Sequence, residues 1–433
     1  MYFKSNSVKF ILFLLCLLFS SNAFALLEIE ITQGVESAMP LAITPVAGDM
    51  PIEATLLESV VYSDLHRSGY FSIVDKKSYP QQTVKLDQVE YNNWRNIGIE
   101  ALLTMRATAV GEGKVRVQFE LYDLVRKNRA LGHSVTTNKN QLRKVAHKIS
   151  DLVFEKLTGI KGAFSTRIAY ISEASSNKGK KYQLQIADAD GYNPRTIFSS
   201  SKQLLSPAWS PDGRRLAYVS FENDRTEIFV QDITTGKRSK ISSEPGINSA
   251  PAWSPDGGTI ALTLSSGGDP EIYLLDVESR KLRKLTNHYG IDTEPAWSPD
   301  GRFIYFTSNR SGAPQIYQVS FGGGTPKRVT FEGNYNAAPS VSADGKYLAM
   351  VHRNDGGYRI GLLDIEKSSF RLLTDGVLDE APSFAPNGSM IIYSTRHNNS
   401  TVLSAVSSDG RVRQRLRLQK EKVREPSWSP FRR

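Results

Sequence analysis

The chain has 433 residues, 40% of them apolar and 23% charged, with 54 Lys and Arg against 44 Asp and Glu, a net charge of +10 and one Cys. That apolar content over that length excludes a disordered, collagen-like or small disulfide-stapled protein. Length alone suggests two or three domains, unless an internal repeat supplies the architecture.

Lys4 and Lys9 precede an apolar run from Phe10 to Phe19, followed by Ser20, Ser21 and Ala23-Phe24-Ala25. This is the pattern of a secretory signal peptide over residues 1–25, with cleavage between Ala25 and Leu26. The run reaches only half of the roughly 20 residues that cross a bilayer as a helix, so the protein is expected not to span a membrane. Cleavage removes Cys16 and leaves 408 residues with a net charge of +8 and no thiol. A mature chain without Cys has neither a Cys-ligated metal nor a Cys nucleophile. Its basic residues are spread along the chain, and export argues against nucleic acid as a partner.

Residues 26–40 alternate apolar and polar positions from Leu26 to Glu36, which suits an edge strand or a free segment. Residues 41–160 read as an α/β domain. Strand patterns at Leu41 to Thr44 and Phe71 to Val74 flank a helical pattern from Ile52 to His66. Three longer strand patterns follow, Glu100 to Val110, Lys114 to Leu124 and Ala130 to Thr137. An amphipathic helix carries Leu142, Val145, Ala146, Ile149, Leu152, Val153 and Leu157, and Gly159 to Ser165 form a link.

Residues 161–433 are organised by a repeat. Pro207-Ala208-Trp209-Ser210-Pro211-Asp212-Gly213 recurs at Pro251 and Pro295, and degenerate copies begin at Pro339, Pro382 and Pro426, at spacings of 44, 44, 44, 43 and 44. In each copy Pro presets φ, Asp bonds its own backbone and Gly takes the positive φ of a tight turn. Second strands then follow, such as Thr259 to Leu262 and Phe303 to Phe306, and third strands such as Glu271 to Leu274. A period in the forties built from short strands is a propeller blade. The strand patterns at Arg167 to Tyr170 and Gln183 to Ile186 have no motif before them, while the last motif has no strands after it. The two deficits complement each other and predict six blades, the ring closed by the C-terminal strand near Ser427 to Ser429. The basic stretch from Arg411 to Arg424, with Arg411, Arg413, Arg415 and Arg417 at alternate positions, reads as a solvated outer edge that discourages sheet-to-sheet association.

With its leader, small α/β domain, Phe154-to-Phe164 segment FEKLTGIKGAF, PAWSPDG blades and terminal PSWSP, the chain resembles the TolB family over essentially its whole mature length. The resemblance implies a non-enzymatic, monomeric adaptor in the periplasm of Gram-negative bacteria. Such an adaptor belongs to the Tol-Pal system and supports outer-membrane integrity and constriction during cell division. It implies no cofactor. It implies that the peptidoglycan-associated lipoprotein Pal is bound at one mouth of the propeller channel, by loops that enter the innermost strands. The corresponding residues are Ile247, Asn248, Ala250, Asp292, Thr293, Glu294, Asn336, Asp379, Glu380 and Glu425. TolA would be bound by Leu27, Glu28, Ile29, Glu30, Ile31, Thr32, Gln33, Gly34 and Val35, according to Pal occupancy, with outer-membrane proteins as further contacts.

Five of these residues, Asp292, Glu294, Asp379, Glu380 and Glu425, would form an acidic rim on a basic protein and steer cationic groups to it. Gathered carboxylates also suit a hard cation such as calcium, although no EF-hand-like loop is present. A glycan-binding propeller is the alternative, with Tyr289, Tyr335 and Tyr358 as stacking platforms. An enzyme reading lacks its motifs: there is no G-x-S-x-G elbow, no HExxH, no P-loop, and the six His have no metal-ligand spacing.

Overall fold

The computed structural model describes residues 38–81, 88–111, 113–177, 179–416 and 422–432. The leader, the Ala25/Leu26 cleavage site and the segment Leu27 to Val35 lie outside these residues. In the α/β domain, strand β1 (Met39–Ile43) pairs in parallel with both β3 (Phe71–Ile73) and β4 (Ala101–Ala109). The sheet continues antiparallel through β5 (Lys114–Asp123) and β6 (Asn128–Asn138), and the short β2 (Ala47–Gly48) pairs with β4. Helix α1 (Pro51–Arg67) starts on Pro51, whose fixed φ suits the first helical position. The short helix α2 (Tyr91–Asn96) buries Trp94 on one sheet face together with Tyr79, Leu102 and Tyr122. Helix α3 (Leu142–Thr158) buries Leu142, Ala146, Ile149 and Val153, an i, i+3, i+4 stripe, and stops at Gly159 with φ 75°. It packs with α1 over the other sheet face, where Leu41, Ile43, Leu103 and Leu121 form the floor.

The repeat folds into the six-bladed propeller expected from it, six four-stranded antiparallel sheets. The motif turn explains each blade. Ser210 Oγ donates to Asp212 Oδ1 at 2.5 Å and accepts from the Arg215 amide at 2.9 Å, while Asp212 accepts from the Arg214 amide at 3.0 Å. The same bonds recur at Ser254–Asp256, Ser298–Asp300 and Ser342–Asp344. Asp212 and Asp256 are therefore turn residues. Tryptophans stitch neighbouring blades: Trp297 Nε1 donates to the Ala252 carbonyl and Trp209 Nε1 to the Ser427 carbonyl, each at 3.0 Å.

Closure comes from Lys422–Trp428, which pairs antiparallel with Arg167–Ser176 and becomes the innermost strand of the first blade. Its end is locked by Ser429 N to Arg167 O at 2.8 Å, Arg167 N to Ser429 Oγ at 3.0 Å and Trp428 Nε1 to Thr166 Oγ1 at 2.8 Å.

The outer edge at Arg413–Leu416 departs from the solvated reading. Gln414 is buried and donates its side-chain amide to the Arg67 carbonyl of α1, and a Cβ at Gly69 would come within 2.0 Å of Val412 Cγ2. The α/β domain covers this side, while Arg413 turns to Asp375 at 2.6 Å. The link is pinned as well: the Phe164 amide donates to Asp151 Oδ1 at 2.7 Å, and Gly162 lies so close to α3 that a Cβ would be 2.3 Å from the Asp151 Cα.

At the centre of the interdomain seam His147 is 3% exposed, with Nδ1 2.7 Å from Asp64 Oδ2 and Nε2 3.9 Å from Asp190 of the first blade. Burial alone would lower the His147 pKa, but the facing Asp64 and Asp190 carboxylates raise it above its ordinary 6.5. Burial likewise opposes ionisation of Asp64, yet the His147 and Arg67 charges bring it down to about 2.

Trp428→Ala should cost about 3 kcal/mol in chemical denaturation, and truncation before Lys422 should abolish the cooperative transition of the propeller; a truncated chain that melts like the whole one would contradict closure by this strand. A raised His147 pKa contributes stability that is complete below 6.5 and lost as pH rises through the raised value. The melting temperature should therefore fall as pH rises above 6.5, and His147→Gln should flatten that slope; equal slopes would refute the assignment.

Candidate functional site

The inner strand of every blade contains a one-residue irregularity at the same place, immediately before the motif Pro. Pairing runs in register at Asn248↔Leu264 and Ser249↔Thr263, then shifts before Ala252↔Ala261, and the other five blades repeat it. The residue at the shift is left-handed in all six: Ser206, Ala250, Glu294, Ala338, Ala381 and Glu425 have φ between 47° and 55°. None is Gly, so each costs on the order of 1 kcal/mol in backbone strain. The bulge redirects the chain so that these residues and the following prolines line a central cavity of about 530 Å³.

Two of the bulge amides are held across the ring. The Ala338 amide donates to Glu294 Oε2 at 2.9 Å, which also accepts from Thr307 Oγ1 at 2.8 Å. The Ser206 amide donates to Glu425 Oε2 at 2.5 Å. A Glu at the bulge of one blade thus binds the bulge amide of the next. Glu380 completes the acidic lining. Burial pushes the Glu380 and Glu425 carboxyls above the ordinary carboxylate range, against the pull of the Arg424 charge. Glu294 acts in the same upward direction on Glu380, and Glu380 on Glu425.

The acidic rim is smaller than expected from the sequence. Asp292 and Asp379 are 0% and 1% exposed and point into their blades, as do Asn248 and Asn336. These four occupy one repeat position, three residues before the motif Pro, where the side chain turns inward before the bulge. Asp292 pairs with Arg310 at 2.6 Å, and Asn336 donates to Gln315 Oε1 at 2.9 Å and faces His352 Nδ1 at 2.9 Å. Asn248 accepts from Ser242 Oγ at 2.6 Å. They tie the entry loops down, and the mouth itself is left to Glu294, Glu380 and Glu425 with half-buried Ala250 and Thr293 and exposed Ile247.

Sequence reasoning missed an apolar crown on the same end of the ring. The loops that enter the inner strands carry Tyr289, Phe331 and Val377, exposed at 82%, 74% and 70%, along with Ile247 and Ile291. Exposed apolar residues gathered around a cavity are the ordinary mark of a protein-docking surface. Loop position was the available signal, since each precedes a motif Pro by four to eight residues. Tyr335 and Tyr358 line the cavity but pack edge to face, with ring centroids 5.4 Å apart.

Asp64, His147 and Asp190 bring ligand atoms within 4.8 Å of one another. Both carboxylates are already engaged by arginines, Asp64 by Arg67 at 2.9 Å and Asp190 by Arg143, so the group is an interdomain charge network and a poor cation site. No helix among the described residues is long and apolar enough to cross a membrane.

Comparison with known proteins gives a consistent picture. The family model described as the TolB beta propeller domain matches residues 154–432, and that of the TolB amino-terminal domain matches residues 27–130. The chain is 61% identical over 429 residues to the Tol-Pal system protein TolB of Thioalkalivibrio sulfidiphilus, covering 98% of each chain. It is 56% identical to that of Nitrosococcus oceani, covering 96% of each. The crystal structure of TolB from Acinetobacter baumannii superposes with a TM-score of 0.87 at 41% identity, over 94% of this chain and 100% of that one.

The division of labour within the repeat is open to test by denaturation. Asp292→Ala should destabilise by about 3 kcal/mol, because the Arg310 guanidinium is left buried without its partner. Ala381→Gly should be neutral or stabilising by up to about 1 kcal/mol, since Gly relieves the left-handed strain. A loss of the size usual for Gly on a strand would show that no strain is held there.

Proposed function

The chain belongs to the TolB family, and from that premise we propose that it is a non-enzymatic periplasmic adaptor of the Tol-Pal system. It docks Pal at the channel mouth and TolA through the segment Leu27 to Val35, and so supports outer-membrane integrity and constriction at division. The observation that carries the reading is the mouth itself. A rigid ring of bulges presents the acids Glu294, Glu380 and Glu425 at its centre and the apolar residues Ile247, Tyr289, Phe331 and Val377 around it. An apolar surround with a charged, partly desolvated centre supplies affinity and orientation together. Ala250 and Thr293 lie between the two zones, half-buried, where a bulky cation would obstruct a partner without disturbing a blade core.

Calorimetric titration of the mature protein with soluble Pal tests this directly. Saturable binding is expected for the wild type and loss of at least tenfold in affinity for Ala250→Arg plus Thr293→Arg, with an unchanged melting temperature. Deletion of Leu27 to Val35 should abolish TolA binding and leave Pal binding in place. A wild type that does not bind Pal would overturn the reading. Binding of peptidoglycan fragments without any protein partner would favour the glycan reading, for which Tyr335 and Tyr358 in the cavity wall are the residues to test.

A further inference from the structure

The end of the ring opposite the mouth holds a second cavity, about 860 Å³, where the start of α3, the first two blades and the C-terminal residues meet. That is the size of a small-molecule site. Its lining contains Arg143, Lys144, Arg167, Arg195, Arg214 and Arg432, against two carboxylates, Asp188 and Asp212. Neither acid neutralises the group. Asp212 is committed to its motif turn. Asp188 is 3.7 Å from Arg432 and 4.0 Å from Arg143. Arg195, Arg214 and Lys144 have no ion-pair partner among the described residues.

The inner part of the cluster is short of acceptors. Arg167 donates one Nη2 bond to the Gly213 carbonyl at 2.9 Å and lies over the Trp209 ring at 4.9 Å, but its Nε is buried without a partner. The Arg143 Nε is buried without a hydrogen bond, 4.0 Å from Asp188, while its other end reaches Asp190 and its face covers Tyr192. Burial, then the Arg432 and Arg195 charges, bring the Arg167 pKa down to about 10, a sign that like charges crowd one another here.

We propose that this cleft is an anion-binding site for a phosphate monoester, with Arg167, Arg195 and Arg432 converging on the phosphate. Guanidinium groups match phosphate oxygens in pairs, and a dianion would relieve the repulsion among the arginines. Asn140, Asn193 and Thr234 line the same cleft and offer amide and hydroxyl groups to a sugar that carries the phosphate. A ligand here touches the α/β domain, the first two blades and the C-terminal tail at once, so occupancy would brace the ring closure and the domain seam together. The proposal is independent of the docking mouth, from which it is separated by the depth of the propeller.

The test is calorimetric titration of the mature protein at low salt with glucosamine 1-phosphate, inorganic phosphate and unphosphorylated glucosamine. Saturable binding of the phosphorylated ligands is expected, with none for glucosamine. Affinity should fall about tenfold in Arg195→Gln and in Arg432→Gln, the loss of one charge-assisted bond pair, and stay unchanged in Lys281→Gln, which removes an exposed charge elsewhere. Preference for the sugar phosphate over inorganic phosphate would assign the ligand to a phosphorylated sugar; equal affinity would assign the site to free phosphate. Absence of saturable binding by either, or binding undiminished in Arg195→Gln, whose exposed side chain leaves the fold intact, would overturn the proposal.

Discussion

The structure depends on one non-covalent seam. The strand Lys422–Trp428 completes a blade whose other strands begin at Arg167, and the bonds that lock it join residues 262 positions apart. Closing so long a loop has an entropy cost that grows only slowly with length, so a few well-placed bonds and a buried strand suffice. Once closed, the ring leaves only short outer edges among the described residues. The closing strand and the residues that follow it contribute to both ends of the molecule. Glu425 faces the channel mouth and binds the Ser206 amide, while Pro430, Phe431 and Arg432 line the cleft at the opposite end.

The blade pattern was legible because its physics is local. Pro, Asp and Gly at fixed offsets specify a turn, and the 44-residue recurrence multiplies the signal. The missing strand at one end and the surplus motif at the other were enough to infer closure. The candidate site was legible only in outline. Asp292 and Glu294 are two residues apart and would share a face on a regular strand, yet one is buried and the other lines the channel. The bulge between them breaks the period of two, and nothing in Ser206, Ala250 or Ala338 announces a left-handed residue, since none is Gly. The covered edge at Gln414 was misread for another reason. Its partner, the Arg67 carbonyl, is in another domain, and alternation along one strand carries no information about what docks on it.

The charge distribution follows from the same geometry. A basic protein gathers carboxylates at one end of its ring and arginines at the other, and each group is held by backbone that the repeat makes rigid. At the mouth, Glu294 and Glu425 are fixed by the bulge amides of the neighbouring blades, so their positions are set before any partner arrives. Preorganisation of this kind reduces the entropy lost on docking. At the far end, the α/β domain contributes Asp64, Arg143 and His147 to a network that reaches Asp190 of the first blade. That network joins the domain preceded by the segment Leu27 to Val35 to the blade that the C-terminal strand closes. It is a physical connection between the two ends of the chain.

In the proposed function, the crowned, acid-lined end of the ring is the surface that meets Pal. Hydrogen–deuterium exchange of the mature protein with and without soluble Pal tests it most directly. Protection is expected to be confined to the entry loops and bulges, residues 243–250, 287–294, 331–338 and 375–381, with the motif turns at the opposite end unchanged. Protection of the motif turns around Asp212, Asp256 and Asp300 with the entry loops unaffected would contradict it.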